Sequence, residues 1–306
     1  MSATVPTSLP RGFSAYVANI GIKDDTTDFV VVAAATTCPA AGVFTRSRFA
    51  GPSVVLSRAN IADRTARAVV VISKNANVAT GPTGLANAQS VVDGVAAALG
   101  ADADDVLIAS TGVIGRQYPM DRVRAGLDTF SDMARGGELP SDDAWAVAGG
   151  IMTTDTVAKV ASATVAGARA RVVGVAKGVG MIEPDMATLI TLVFTDAEVP
   201  SAGLDESFRR VVDRTFNCVS VDTDTSTSDT AIILASGAAG PVEPAAFEAA
   251  LHEVLLSLTK QVARDGEGAE TLIEVRVDGA RDDAQAKRVA KSIVNSPLVK
   301  TAVHGA

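Results

Sequence analysis

The chain has 306 residues, of which 47% are hydrophobic, 20% charged and 4% aromatic, and its formal net charge is −8. This composition excludes an intrinsically disordered chain and is typical of one large domain or two ordinary ones. The acidic balance argues against nucleic acid as the main partner, because phosphate binding needs a basic face. The two cysteines are too few for a disulfide framework, and neither a secretory signal nor a membrane-spanning run is visible. We therefore expect a cytoplasmic protein with no membrane partner.

Short β-branched runs alternate with amphipathic patterns along the whole chain. In chain order, strands are predicted at residues 29–35, 53–57, 68–73, 106–110, 169–175, 188–194, 230–235 and 272–277. Helices are predicted at residues 86–99, 119–130, 141–151, 204–216, 244–263 and 282–294. Strands mixed with helices favour layered sheets covered by helices. The best candidate for an internal boundary is the loop at residues 178–187.

The sequence offers little material for histidine or metal chemistry. Its two histidines are His252, beside the apolar stripe of a predicted helix, and His304, near the end of the sequence. A Ser-His-Asp triad or a zinc site is hard to build from this set. The pair Gly178-Val-Gly180 lacks the third glycine of a dinucleotide loop. No metal and no cofactor are therefore predicted.

The run Asp222–Thr230 superficially resembles a calcium loop. Its sixth position is Thr227 instead of glycine, and its twelfth is Ile233 instead of glutamate. We interpret the acidic and hydroxyl side chains of this run as donors and acceptors of turn and capping hydrogen bonds.

An enzyme without a usable histidine needs another base, and an N-terminal threonine supplies one through its own α-amino group. The ordinary pKa of such a group is about 7.7–8.0, so a useful fraction is neutral at cellular pH. An internal threonine reaches that state only when the bond before it is cleaved. Thr188 is a candidate, because a glycine-containing loop and the small residue Ala187 precede it and a predicted strand follows it. An ordinary junction of loop and strand gives the same pattern.

Several ordered segments make the chain resemble the ornithine acetyltransferase family of arginine biosynthesis, and especially the members encoded in clavulanic acid gene clusters. These segments are Val43-Phe-Thr-Arg46, Asn75-Ala-Asn77, Ser110-Thr111-Gly112-Val-Ile-Gly115, Ile151-Met-Thr-Thr154-Asp-Thr156, Lys177-Gly-Val-Gly180-Met181, Pro184-Asp-Met-Ala187-Thr188-Leu189, Asp222–Thr230, Asp265-Gly-Glu267-Gly268 and Ser296-Pro-Leu-Val-Lys-Thr301. They extend along essentially the whole chain, and together they are highly specific.

The resemblance implies self-cleavage between Ala187 and Thr188, which gives an α chain of residues 1–187 and a β chain of residues 188–306. Thr188 then takes acetyl from N-acetylornithine as an acyl-enzyme and passes it to glutamate. Thr111 and Gly112 match the oxyanion hole of the family. A hydroxyl and a backbone N–H in a glycine turn are suitable donors to an oxyanion.

The resemblance also implies substrate contacts at Thr154, Lys177, Thr188 and Glu267. Lys177 suits the α-carboxylate of the substrate, and Glu267 suits the ornithine ammonium. The implied fold is an α/β (α+β) fold, an αββα sandwich of mixed sheets between helices. The implied assembly consists of αβ heterodimers that form heterotetramers or larger oligomers.

Two departures from the family pattern are visible. Asp185 stands where arginine-pathway members commonly have a neutral residue. The family also continues beyond the position of Ala306 with an Asp-Pro-Asn-Trp-Gly-Arg motif and a further region, from which we expect an asparagine and a terminal serine or threonine to reach the substrate site.

Three alternatives remain open to the sequence. The enzyme could be bifunctional and also use acetyl-CoA as a donor. It could be a self-processing amidohydrolase or aminopeptidase, in which water accepts the acyl group. It could also be an unprocessed protein without catalysis. The identity of the acceptor that reaches the acyl-enzyme is a property of the pocket, which the sequence does not show.

Overall fold

The computed structural model describes residues 8–23, 25–135, 138–182 and 189–305. Its strands are β1 (Phe13–Ala18), β2 (Phe29–Phe44), β3 (Thr65–Ile72), β4 (Val106–Ser110), β5 (Lys159–Thr164), β6 (Arg171–Lys177), β7 (Ile190–Thr195) and β8 (Thr230–Ala235). Its helices are α1 (Pro52–Asn60), α2 (Gly81–Leu99), α3 (Met120–Ala134), α4 (Ala144–Gly150), α5 (Ser201–Arg214), α6 (Pro244–Arg264), α7 (Asp283–Val294) and α8 (Pro297–His304).

The long strand β2 belongs to two sheets. Its first part, residues 29–39, pairs antiparallel with β1 on one side and β3 on the other, and β3 pairs parallel with β4. Its last part, residues 40–44, pairs antiparallel with β8, and the second sheet continues through β7 and β6 to β5. The register with β3 shifts between Ala33 and Cys38, and such an irregularity bends a strand from one sheet towards the next. Both sheets are mixed, because each contains parallel and antiparallel pairs.

The two sheets pack face to face, and helices cover their outer faces. Val30, Val69 and Leu107 of the first sheet share a buried cluster with Leu192 and Phe194 of the second. A second cluster joins the outer face of the first sheet to α2 and α3, and a third joins the outer face of the second sheet to α5 and α6. These layers confirm the predicted αββα sandwich.

Helix α6 shows why the sequence forms this architecture. Pro244 occupies its first turn, where a missing N–H costs nothing, and the Glu243 carboxylate caps the Ala246 amide at 2.8 Å. The apolar side chains of one face are fully buried against the second sheet, and each contributes about 1.5–3 kcal/mol. These side chains are those of Phe247, Leu251, Val254, Leu255, Leu258 and Val262.

One predicted strand is wrong, because residues 53–57 form part of helix α1. Pro52 begins this helix, and its buried residues Ser53, Val54 and Ser57 follow helical spacing. The Ser57 hydroxyl donates to the Ile108 carbonyl at 2.6 Å and accepts from the Ile108 amide at 2.7 Å. The helix is thereby attached to the edge of β4, where a β-branched run alone had indicated extended backbone.

The predicted strand at residues 272–277 also differs from the structure, in which this segment has no regular secondary structure. The exposed Glu274 and Arg276 alternate with the half-buried Val275 and Val277, as predicted. The apolar side chains of the segment face a cavity of 720 Å³ between α6, α7 and α8. Alternation without a paired neighbouring strand therefore does not make this segment a strand.

Strands β4 and β8 have the predicted ends, the other predicted elements are found with shifted ends, and β1, β5 and α8 are additional. Among the helices of the described residues, none combines the length and the apolar character needed to cross a membrane.

Candidate active site

At one end of the second sheet, the end of β6 lies beside the start of β7, which lies beside the start of β8. The predicted site residues of this sheet fall at or next to these strand ends. The last residue of β6, Lys177, pairs with Ile190 at the start of β7, which pairs with Thr230 at the start of β8. The predicted cleavage residues Ala187 and Thr188 lie outside the described residues. Leu189, the residue that follows them, is described and directly precedes β7.

A turn at residues 111–115 follows β4 and is held against the loop at residues 74–78. The Thr111 amide donates to the Ile72 carbonyl at 3.1 Å, and the Val113 amide donates to the Lys74 carbonyl at 3.3 Å. Gly112 has a φ of +126°, and a Cβ atom there would lie 2.2 Å from the Lys74 carbonyl carbon. Only glycine fits, because carbon atoms in contact are about 3.5–4.0 Å apart.

The supporting loop is itself in an uncommon conformation. Lys74, Asn77 and Ala79 all have positive φ, which is costly for residues with a Cβ atom. Asn75 accepts from the Asn77 amide at 2.8 Å, and the Asn77 side chain donates to the Gly84 carbonyl at 2.7 Å. The Asn75-Ala-Asn77 segment therefore fixes the backbone against which the Thr111–Gly112 turn rests.

Lys177 joins that turn to the strand edge. Its side chain is buried, and its Nζ donates to the Thr111 Oγ1 at 3.0 Å. An ammonium only donates, so the Thr111 oxygen accepts and its own proton is available for another acceptor. Burial lowers the pKa of Lys177, while the carboxyl groups of Asp155 and Asp229 act in the opposite direction. The predicted oxyanion donor Thr111 is thus in direct contact with the predicted substrate-binding Lys177.

A buried network of ion pairs lies beside Lys177. Lys159 Nζ lies 2.8 Å from Asp155 Oδ1 and 2.5 Å from Asp265 Oδ2. Asp155 Oδ1 also accepts from the Gly178 amide at 2.6 Å. Burial opposes ionisation of Asp155, but the ammonium groups of Lys177 and Lys159 and the Gly178 amide outweigh it and lower its pKa. The network therefore attaches the loop at residues 151–158 to the end of α6 and to the loop that follows β6.

The loop at residues 178–182 is held on two sides. The Glu267 amide donates to the Val179 carbonyl at 2.7 Å, and a Cβ atom on Gly180 would lie 2.7 Å from the Glu267 Oε2. The Asp222 carboxylate accepts from the amides of Met181 and Ile182, the latter at 2.7 Å. These bonds confirm the interpretation of Asp222 as a turn and capping residue. They also fix Met181 and Ile182, the last described residues before the predicted cleavage bond.

The remaining predicted substrate residues, Thr154 and Glu267, have exposed side chains. Glu267 is exposed and contacts the glycine loop, and Thr154 is exposed one residue before the buried Asp155. Glu267 also lies at the margin of the 720 Å³ cavity, whose lining includes neither Thr111 nor Lys177. This cavity is therefore separate from the polar cluster around Lys177.

Sequence reasoning did not single out Asp155, Lys159 or Asp229. Asp229 directly precedes β8, and its Oδ1 accepts from the Leu189 amide at 2.7 Å. Burial raises its pKa well above the ordinary value, against the effects of the Leu189 amide, Lys177 and Ser226. The available signal was weak, because Asp155 and Asp229 stand in polar runs that are typical of solvated loops and Lys159 is a single charge among small apolar residues. Among the described residues, no group of three or more acidic, histidine or cysteine side chains could hold a metal ion.

The comparisons with known proteins agree with the resemblance seen in the sequence. The model of the ArgJ family matches residues 14–306. Over 306 residues the chain is 58% identical to glutamate N-acetyltransferase Oat2 of Streptomyces clavuligerus and 54% identical to arginine biosynthesis bifunctional protein ArgJ 2 of Nostoc sp.. All of this chain is covered in both cases, together with 76% and 77% of the respective relatives.

A solved structure also resembles the fold. It is that of the ornithine acetyltransferase of Mycobacterium tuberculosis complexed with ornithine, which is 31% identical with a TM-score of 0.52. The match covers 60% of this chain and 96% of that one.

Proposed function

The chain belongs to the ArgJ family, and on that premise we propose that it is a glutamate N-acetyltransferase that moves acetyl from N2-acetylornithine to glutamate. The observation that carries the proposal is the contact between Lys177 and Thr111, 3.0 Å long, at the end of the sheet where Ile190 begins β7. A buried cation, a polarised hydroxyl and a glycine turn converge there, as acyl transfer requires.

Before any transfer, the protein matures by self-cleavage between Ala187 and Thr188. The Thr188 hydroxyl attacks the Ala187 carbonyl carbon, the acyl group passes from nitrogen to oxygen, and water hydrolyses the resulting ester. The products are an α chain of residues 1–187 and a β chain of residues 188–306. The bonds that fix residues 178–182 and Leu189 support this step, because a rigid frame on both sides favours one geometry of attack.

The transfer of acetyl then uses the new N-terminus of the β chain. The α-amino group of Thr188 takes the hydroxyl proton as the oxygen attacks the acetyl carbonyl of N2-acetylornithine. The Thr111 hydroxyl and the Gly112 amide donate to the oxyanion, ornithine leaves with a proton, and the acetyl group remains on Thr188. The neutral amine of glutamate attacks this ester, its proton passes through the Thr188 α-amino group to the departing Thr188 oxygen, and N-acetylglutamate leaves.

The charges around the site suit amino-acid substrates. Lys177 donates one hydrogen bond to Thr111, and an ammonium has two further N–H groups for a substrate carboxylate. The exposed Glu267 is available for the side-chain ammonium of ornithine, and the exposed Thr154 for a polar contact. The ornithine in the related Mycobacterium tuberculosis structure supports a ligand of this class.

The mature protein is further proposed to form αβ heterodimers that assemble into heterotetramers or larger oligomers in the cytoplasm. Mass spectrometry under native conditions tests this assembly, since an αβ pair alone would contradict it.

The activity is tested with purified protein, N2-acetylornithine and glutamate. The proposal predicts equal amounts of ornithine and N-acetylglutamate, and no products from Thr188→Ala. The control is Thr188→Ser, which keeps a hydroxyl and retains cleavage and measurable transfer. Acetate release that does not depend on glutamate would indicate the hydrolase instead, and activity of Thr188→Ala would refute the proposed nucleophile.

The bifunctional alternative also has a specific observation in its favour, because the Nostoc relative is named a bifunctional protein. Acetyl-CoA with glutamate, in the absence of N2-acetylornithine, separates the two activities. Formation of N-acetylglutamate in that mixture establishes the second donor.

A further inference from the structure

The hydroxyl group of Tyr118 is bonded to the segment that carries the predicted oxyanion donors. Tyr118 is buried in the apolar cluster between the first sheet and helices α2 and α3. Its hydroxyl group forms a hydrogen bond with that of Ser110, the last residue of β4, which directly precedes Thr111. This one hydrogen bond therefore joins the two ends of residues 110–118, between which the turn lies.

Packing alone does not explain a tyrosine at this position. Ser110 is fully buried and Tyr118 is 3% exposed, so bulk water does not reach either hydroxyl group. Burying a hydroxyl group is unfavourable unless it is hydrogen-bonded, and phenylalanine would fill nearly the same space in an apolar cluster without that cost. The hydroxyl group of Tyr118 is therefore explained by the hydrogen bonds that it forms.

The same hydroxyl group also reaches the supporting loop. Burial raises the pKa of Tyr118 to about 12, although side-chain hydrogen bonds with Ser110 and Asn77 act in the opposite direction. Asn77 is a fully buried residue with positive φ, and its side chain donates to the Gly84 carbonyl at 2.7 Å. Tyr118 thus bridges the end of β4 and the loop against which the turn rests.

Other contacts hold the second half of the turn against the same loop. The Gly115 amide donates to the Val78 carbonyl at 2.8 Å, and the Gln117 carbonyl accepts from the Asn75 side chain at 3.0 Å. The bond between the two buried hydroxyl groups acts at the first half of the turn, where the predicted donors lie. The two sets of bonds together fix the turn at both ends.

We propose that Tyr118 is a positioning residue for acetyl transfer, which holds Ser110 and Asn77 together so that the Thr111 hydroxyl group and the Gly112 amide are aligned towards one oxyanion. The inference rests on the proposed role of these two donors in the transfer. Tyr118 itself neither touches the substrate nor moves a proton. Donors that are fixed before the reaction need no reorientation when the negative charge develops, and this is the contribution that the Tyr118 hydroxyl group makes.

The alignment of the donors affects kcat more than KM. The oxyanion exists only along the path of the reaction, so a looser turn weakens the transition state and leaves the bound substrates unchanged. Acylation by N2-acetylornithine and deacylation by glutamate both pass through such an oxyanion, and both should slow by the same factor. A purely structural role of Tyr118 would instead lower the Tm and leave kcat unchanged.

The test compares Tyr118→Phe with a matched control, Tyr16→Phe. Tyr16 is the second tyrosine of the chain, is buried in the same cluster, and packs its ring against Phe29 and Phe130. It lies on β1, which pairs with β2. Each variant removes one oxygen from the same cluster, so a general loss of packing affects both alike.

Amide hydrogen exchange at residues 111–115 is measured first, with each substitution placed in the uncut Thr188→Ala protein so that maturation has no influence. We expect exchange there to be about tenfold faster with Tyr118→Phe, because the loss of one hydrogen bond changes a local opening equilibrium by about that factor. Tyr16→Phe should leave exchange at residues 111–115 within about twofold of the parent, because distant sites act independently.

Transfer is then measured in the Thr188 background, with kcat calculated per cleaved chain from the intact mass. We expect kcat of Tyr118→Phe to fall about tenfold with KM for both substrates unchanged, and Tyr16→Phe to stay within about twofold of the wild type. The shape of the pH profile from pH 5 to 9 should not change, because Tyr118 remains protonated throughout. A shifted profile would make Tyr118 a proton-transfer group and overturn the positioning role.

A double-mutant cycle with Ser110→Ala isolates the bond itself. If the two hydroxyl groups act through one hydrogen bond, Tyr118→Phe/Ser110→Ala should have about the same kcat as Tyr118→Phe alone. Losses that multiply to about 100-fold would show two independent effects and overturn the inference.

The remaining outcomes separate the inference from the proposed function. Equal exchange in Tyr118→Phe and Tyr16→Phe, or faster exchange with an unchanged kcat, overturns the inference and leaves the proposed function intact. Wild-type protein that forms neither ornithine nor N-acetylglutamate overturns the proposed function itself, whatever the exchange rates.

Discussion

The turn at residues 111–115 contains two glycines, of which only one is closely packed against another backbone segment. Gly112 and Gly115 both have positive φ, of +126° and +82°. A Cβ atom on Gly112 would lie 2.2 Å from the Lys74 carbonyl carbon, whereas a Cβ atom on Gly115 meets nothing within 4 Å. Alanine at either position carries a backbone cost of about 1–2 kcal/mol, but only alanine at 112 forces two backbones apart.

The displacement can be estimated from these distances. Carbon atoms in contact need about 3.5 Å, so Gly112→Ala must move the turn or the Lys74 backbone by about 1.3 Å. A misplacement of about 1 Å at a reacting centre costs about 10²-fold, and loss of one oxyanion donor costs about 10²–10³-fold. We expect kcat/KM of Gly112→Ala to fall by about that factor, and Gly115→Ala to stay within about threefold of the wild type.

The assay is acetyl transfer from N2-acetylornithine to glutamate, with the fraction of cleaved chain determined by intact mass in each preparation. If Gly112→Ala remains uncut, the rate of cleavage during incubation replaces kcat/KM as the quantity compared. Equal activities of Gly112→Ala and Gly115→Ala would refute the argument, because the clash with Lys74 would then have no effect on the donors at this turn.

The remaining predictions concern the hydroxyl donor and the buried ion pairs. Thr111→Ala should slow transfer by about 10²–10³-fold, while Thr111→Ser retains most of the activity; a change below about threefold in kcat/KM would remove Thr111 from the site. Lys159→Met removes the ammonium group shared by Asp155 and Asp265 and should cost about 3–5 kcal/mol of unfolding free energy by chemical denaturation. Arg124→Ala breaks an exposed pair and should cost below about 1 kcal/mol. Because the pKa of Asp155 is lowered in the folded state, its stabilisation is present above the unfolded value near about 3.9 and is lost as the pH falls through the folded value. Asp155→Asn should therefore flatten the acid end of the stability profile, and an unchanged profile would contradict the assignment.

The layered fold could be predicted from the sequence where local pattern and tertiary packing agree. Residues 230–235 are β-branched and apolar, and they form the buried strand β8 with the predicted ends. Residues 244–263 carry an apolar stripe and an N-terminal proline, and they form α6. In both cases each residue meets the environment that its own chemistry favours.

The prediction failed where a contact with a residue distant in the sequence determines the secondary structure. Residues 53–57 contain a β-branched run, but the serine at each end is buried and Ser57 bonds to Ile108 of β4, which a local pattern cannot reveal. Strand β5 begins with Lys159, and by local pattern alone a charged residue there favours a loop. The lysine is buried because it forms ion pairs with Asp155 and Asp265, which lie outside the strand.

The candidate site likewise contains residues that could be predicted from the sequence and one that could not. Thr111, Gly112 and Lys177 were predicted through the family resemblance, and the first and last of these are in contact. Asp229 was interpreted only as part of a polar turn, because nothing in a run of acids and hydroxyls distinguishes the one carboxyl group that folding buries against Leu189.

The measurement that tests the central claim most directly is intact mass spectrometry of the wild-type protein after incubation with N2-acetylornithine in the absence of glutamate. The sample is quenched in acid and analysed under denaturing conditions. The account predicts two chains, separated between Ala187 and Thr188, with one acetyl group on Thr188 of the second chain that disappears when glutamate is added. A single uncut chain, or an acetyl group on any other residue, would contradict it.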